Sequence, residues 1–190
     1  YDAGTSHTGD GTVTITLGGA TDAVGNPIDT APTNNTFVID NTGPTSTASY
    51  TAATVNNGDA LTITVVFNQA VTGTPTIELS GAKTVSATAM SDSGDQTTWT
   101  YDAGTSHTGD GTVTITLGAA TDAVGNPIDT APTNNTFIID NSLVGVASYT
   151  ASTVNDGDAQ TITINFGEVV TGTPTIALSG AKTVSATAMS

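Results

Sequence analysis

The sequence predicts an all-β chain, a tandem of Greek-key β-sandwich repeats of about seven short strands each. Three observations predict it. Apolar residues alternate with Thr over short runs, as in Leu61-Thr62-Ile63-Thr64-Val65-Val66-Phe67 and Thr112-Val113-Thr114-Ile115-Thr116-Leu117. Clusters of Gly, Asn, Asp and Pro separate those runs, and no stretch carries a helical period. The chain also repeats itself. Tyr1–Asn41 recurs as Tyr101–Asn141 with two differences, Gly19/Ala119 and Val38/Ile138. Ala48–Ser91 recurs as Ala147–Ser190 with nine differences, at an offset of 99 because the second junction is one residue shorter.

The elements follow in order. Thr45–Thr54 predicts a first strand, closed by the turn Asn56-Asn57-Gly58-Asp59. Leu61–Phe67 predicts a second, with Leu61, Ile63, Val65 and Phe67 on one face. Thr76–Leu79 follows the turn Gly73-Thr74-Pro75, and Val85–Met90 comes next. A loop at Ser91–Gln96 leads to Thr97–Asp102, whose Trp99 reads as a core anchor. Thr112–Leu117 turns Val113, Ile115 and Leu117 inward, and Thr136–Asp140 is the last strand. Strand direction puts the loops Asn68–Pro75, Ser91–Gln96 and Ala119–Asn135 at the N-terminal pole. Asn56–Asp59, Ser80–Lys83 and Gly104–Gly111 fall at the other pole, beside the exit at Asp140.

Punctuation sets the phase. Phe37-Val38-Ile39-Asp40-Asn41-Thr42-Gly43-Pro44 runs from a strand into a break, and Phe137-Ile138-Ile139-Asp140-Asn141-Ser142 ends likewise without the proline. Residues 1–41 therefore read as the C-terminal part of one repeat, 42–140 as a complete repeat, and 141–190 as the N-terminal part of the next. The chain is out of phase with the fold, and Tyr1 reads as a start inside a longer protein. A half-sandwich exposes an apolar face and open strand edges. Residues 1–41 and 142–190 are thus expected to complement one another between molecules, as a head-to-tail chain or a swapped dimer.

Charge narrows the function. Seventeen acidic residues stand against two basic ones, Lys83 and Lys182, for a net charge of −15, and there is no Cys. Such a chain repels nucleic acid, whose binding needs Lys and Arg to displace counterions. No stretch approaches the ~18 apolar residues of a membrane span. Acidic loops without disulfides point to a divalent cation as the clamp between repeats. Calcium, which takes 6–8 oxygen ligands, suits loops rich in Asp and Asn. Candidate junction ligands are Asp40 and Asn41 with Asp122 and Asn126 of the facing pole. Asp140 and Asn141 are their equivalents at the other junction, and Asn57, Asp59 and Asp110 contribute from the C-terminal pole.

His7 and His107 lie in the same Gly-Thr-Ser-His-Thr-Gly-Asp loop, where a histidine is expected to be solvated. Ser beside His in sequence makes no catalytic triad, and no acid–base pair argues for an enzyme. The outward row Thr112, Thr114, Thr116 is what strand alternation requires, although a flat Thr row also suits ice or glycan.

The pattern Gly58-Asp59, Val71-Thr72-Gly73-Thr74-Pro75-Thr76-Ile77-Glu78-Leu79, Asp122-Ala123-Val124-Gly125-Asn126 and Ile139-Asp140-Asn141 resembles the bacterial immunoglobulin-like repeats of giant repeats-in-toxin (RTX) surface adhesins. The resemblance covers essentially the whole chain. It implies an immunoglobulin-like sandwich, type I secretion to the cell surface, and a place in a stalk whose linkers calcium stiffens and whose partners are neighbouring identical repeats. Asp140-Asn141-Ser142-Leu143 lacks the proline of the first junction, so the two linkers are expected to differ in stiffness. The alternative is an immunoglobulin-like binding module whose polar loops recognise a glycan, ice or a protein.

Overall fold

Strand propensity and alternation are realised throughout: the computed structural model describes residues 1–190 as strands and connecting loops, with no helix. None of the chain is therefore a helix long and apolar enough to cross a membrane. The chain divides into two units, Tyr1–Asp140 and Asn141–Ser190.

In the first unit, β1 (Gly11–Thr14) and β2 (Thr36–Ile39) form an antiparallel pair of their own. Nine further strands build two sheets. They are β3 (Ser46–Tyr50), β4 (Thr54–Val55), β5 (Leu61–Phe67), β6 (Thr76–Gly81), β7 (Val85–Ala89), β8 (Ser91–Asp92), β9 (Thr98–Gly104), β10 (Gly111–Gly118) and β11 (Thr136–Ile139). One sheet runs β4-β11-β10-β6-β7 and the other β3-β5-β9-β8. All neighbours are antiparallel except β4 and β11.

Inward residues of both sheets form one buried cluster, which makes this a β-sandwich. Leu61, Ile63, Val65, Phe67 and Trp99 come from one sheet, and Ile77, Leu79, Val113, Ile115, Leu117, Phe137 and Ile139 from the other. Full burial of each such side chain contributes about 1.5–3 kcal/mol. Trp99 also satisfies its indole N–H on the Gln96 carbonyl at 3.2 Å. Tyr50 packs its ring 5.5 Å from that of Phe137 and donates its hydroxyl to the Asn134 carbonyl.

Two elements depart from expectation. Thr45–Thr54 is not one strand. Ala48 and Val55 both point inward but differ in parity, so the chain must bend between them. It leaves one sheet after Tyr50 and joins the other as β4, where Ala53 and Val55 carbonyls accept from Ile138 and Asp140. The Ser91–Gln96 segment is not wholly a loop either, because Ser91 and Asp92 pair with Thr100 and Trp99.

In the second unit, β12 (Gly145–Tyr149) pairs with β13 (Ile162–Phe166), and β14 (Thr175–Leu178) with β15 (Val184–Ala188). Their registers repeat those of β3–β5 and β6–β7 residue for residue at the offset of 99. Likewise β1–β2 repeats β10–β11, with Gly11 opposite Ile39 as Gly111 is opposite Ile139.

Candidate functional site

The segment Asp40–Pro44 joins the β1–β2 pair to the sandwich, and the loop after β10 meets it there. That loop is shaped by one carboxylate. Asp122 Oδ1 accepts from the N–H groups of Val124, Gly125 and Asn126, and Oδ2 accepts from the Asn126 side chain at 2.8 Å. Asp and Asn favour such turns because a short side chain can satisfy the backbone that follows it. Burial of Asp122 pushes its carboxyl up, but the four hydrogen bonds together outweigh it and hold the group below the ordinary carboxylate range. The same loop recurs at Asp22–Asn26, fully exposed, with the same bonds from Val24 and Asn26. Its geometry is therefore encoded locally.

The side chain of Asn126 reaches further. Its Nδ2 also donates to the main-chain oxygen of Asp40 at 3.1 Å. Gly43 passes so close to the next residue of the loop that a Cβ there would stand 1.9 Å from the Pro127 oxygen. Pro44 is buried, and its carbonyl accepts from Asp129 at 2.9 Å. Thr45 and Asn68 close the far side, each main-chain N–H donating to an oxygen of the other residue. On the near side Asn41 is tied to the loop before β1. Its side chain donates to the carbonyls of His7 and Gly9, and its N–H donates to Asp10. Asp10 also accepts from the Thr42 hydroxyl, and that bond with the Asn41 N–H holds its carboxyl below the usual range.

Four of the expected ligands thus meet or adjoin at one junction: Asp40, Asn41, Asp122 and Asn126. Their oxygens are of the kind calcium takes, but the arrangement is that of a hydrogen-bonded joint. Asp122 is surrounded by N–H donors, and Asn126 turns its amide nitrogen toward Asp40. No three His, Asp or Glu side chains cluster closely enough to hold a metal ion between them.

The other expected ligands lie at the opposite pole. Asn57 Oδ1 accepts from the His107 N–H at 3.0 Å, and Asp59 binds its own turn through the Asn56 N–H. Asp110 is exposed on the loop before β10, Asp140 is half-buried with its N–H on the Val55 carbonyl, and Asn141 opens the second unit.

His107, expected to be solvated, is instead fully buried. Its Nε2 lies 3.0 Å from the Asp59 carbonyl and its Nδ1 3.3 Å from Lys83 Nζ. That ammonium also donates to the Ala103 and Ser106 carbonyls at 2.8 and 2.7 Å. Burial lowers the Lys83 pKa, offset in part by the charge of Asp102. His107 and Lys83 together knit three loops that are far apart in sequence. His7, in the same local sequence, is exposed, so nothing in the loop itself signals the burial. The distant signal is Lys83, the one cation of the complete repeat. Comparison with family models, with curated proteins and with solved structures finds no match to this chain.

Proposed function

We propose that this chain is a stretch of a structural extender: immunoglobulin-like repeats joined end to end into a stalk on a bacterial surface adhesin. The observation that carries it is the joint at Asp40–Pro44, where a buried proline, a glycine pressed against Pro127 and the Asn126–Asp40 hydrogen bond hold the connection of one repeat to the next. A module built only to bind a ligand has no need of a locked entry. The strand orders β4-β11-β10-β6-β7 and β3-β5-β9-β8 support the immunoglobulin-like reading, and the charge of −15 suits secretion into salty surroundings where repeats must not stick sideways.

Calcium enters as reinforcement of that joint. It would be held by the carboxylates of Asp40 and Asp122 and the side-chain oxygen of Asn126, after exchange with the N–H groups now bound there. The test is small-angle X-ray scattering of four in-phase repeats with calcium and then with chelator. An extender lengthens by about 30–40 Å per repeat, the span of strands of roughly ten residues. A coil-like dimension in both conditions sinks the extender reading. A rod that does not change with chelator leaves the stalk and removes calcium from its joints.

A further inference from the structure

A single asparagine of this chain precedes a glycine: Asn57, before Gly58, in the turn that leads into β5 of the complete sandwich. Asn26 and Asn126 precede proline, which has no N–H, and every other asparagine precedes a residue with a side chain. The difference is chemical. A main-chain nitrogen can attack the side-chain carbonyl carbon of the asparagine before it, and a β-carbon on the attacking residue obstructs that approach. Asn57 and Gly58 are both exposed, so water reaches them. The space beside Gly58 is open as well, since a Cβ there would meet no atom within 4 Å beyond its chain neighbours.

The loop before β10 acts on the two reacting groups in opposite senses. The His107 N–H donates to Asn57 Oδ1 at 3.0 Å. It draws electron density from the amide carbon and faces the oxygen on which negative charge would develop. The Gly58 N–H donates to the Thr105 carbonyl at 2.9 Å, and that nitrogen cannot turn toward the amide carbon while the bond holds. His107 Nε2, 3.0 Å from the Asp59 carbonyl, pins the next residue to the same loop. The block prevails. Attack needs a freed nitrogen, whereas polarisation only assists an attack that is already possible.

We propose that Asn57 is a site of spontaneous deamidation, gated by the contact of its turn with residues 105–107. When that contact opens, the Gly58 nitrogen gives its proton to water and bonds to Asn57 Cγ. The bond from Cγ to Nδ2 breaks, and the nitrogen leaves as ammonia, taking a proton back from water. The succinimide so formed takes up a water molecule at either carbonyl. The product is aspartate, or an isoaspartate whose main chain runs through the former side chain; water is consumed, ammonia is released and nothing is oxidised or reduced. The turn accepts the first product. Asn155-Asp156-Gly157-Asp158 carries aspartate at the equivalent position, yet its Asn155 N–H still donates to Asp158 at 2.8 Å, as Asn56 donates to Asp59 at 3.0 Å. The second product does not fit. Its extra main-chain carbon displaces Gly58 and Asp59 from Thr105 and His107, so the pole that buries His107 loosens.

The experiment incubates the full chain at neutral pH, native and in guanidinium chloride, and follows each asparagine by peptide mass mapping. Enzymatic methylation of isoaspartate counts the second product. The expected result is that Asn57 is converted before any other asparagine in both conditions, and on the order of tenfold or more slowly in the native chain, where only the opened fraction reacts. Conversion of another asparagine first in the denatured chain overturns the site, and equal native and denatured rates at Asn57 overturn the gate. His107→Ala should raise the native rate on the order of tenfold and leave the denatured rate unchanged, because it removes the ring that holds Asp59. The unfolding transition of that variant shows whether it has folded, and an unchanged native rate in the folded variant sinks the gating. Should the variant fail to fold, the comparison of native with denatured wild type decides alone.

Discussion

Gly43 runs against the carbonyl oxygen of Pro127, 84 positions later in the chain, at a distance that leaves no room for a β-carbon. This contact, with the Asn126–Asp40 hydrogen bond beside it, fixes how the chain enters the sandwich. Replacing Gly43 with Ala should force the segment away from the loop at a cost of about 1–3 kcal/mol. That cost should lower the urea midpoint of the sandwich at unchanged slope and also loosen the segment itself. The measurable change is faster proteolytic cleavage at residues 41–44; protection equal to wild type would show that the contact does not close the joint.

Ala119 sits at φ 63°, a left-handed conformation, whereas its counterpart Gly19 adopts φ 77° without penalty. The repeat has thus placed a side chain where its twin needs none. Ala119→Gly should stabilise the sandwich by about 0.5–1 kcal/mol, read as a higher urea midpoint at unchanged slope. A lower midpoint would mean that the Ala119 methyl contributes packing that outweighs the backbone strain.

Two identical loops should respond differently to the same substitution. His107→Ala removes a buried ring that Asp59 and Lys83 contact, and should cost about 2–4 kcal/mol. His7→Ala, at an exposed site, should change stability by less than about 0.5 kcal/mol. Equal effects in urea unfolding would contradict the assignment of His107 to the core of the pole.

Acid should loosen the N-terminal pole before the core. The N–H groups of Thr98 and Thr97 hold the Asp95 carboxyl at a pKa of about 2, and hydrogen bonds hold Asp122 and Asp10 low as well. A carboxyl with a folded pKa below its unfolded value near ~3.9 contributes stability that is complete above that value. The contribution falls as pH drops through the folded pKa. Stability should therefore be flat above about pH 5 and decline from about pH 4 toward pH 2. Asp95→Asn should flatten part of that decline, and an unchanged slope would remove Asp95 from the account.

Much of the strand pattern was legible in the sequence because alternation is a local property. Leu61, Ile63, Val65 and Phe67 face inward as their period-two spacing requires, and so do Val113, Ile115 and Leu117. Asp122 and Asn126 were legible in the sequence as ion ligands at the junction facing Asp40, but the hydrogen bonds they make there were not. Its Asx hydrogen bonds form identically at Asp22–Asn26, whereas its reach to Asp40 depends on which loop meets the linker. The strand exchange after Tyr50 was missed because Thr51-Ala52-Ala53 carries no breaking residue; only the inward parity of Ala48 and Val55 reveals it.

The duplicated sequence separates the two kinds of information within one molecule. Pairings β1–β2, β12–β13 and β14–β15 and the Asx turns form alike in complete and incomplete surroundings, since their partners are near in the chain and their hydrogen bonds do not depend on a second sheet. The burial of Phe137 against the exposure of Phe37, and of His107 against His7, was decided only by tertiary structure. The physical reason is that burial belongs to the surface that covers a residue. Identical neighbours along the chain cannot supply that surface when the facing sheet is absent.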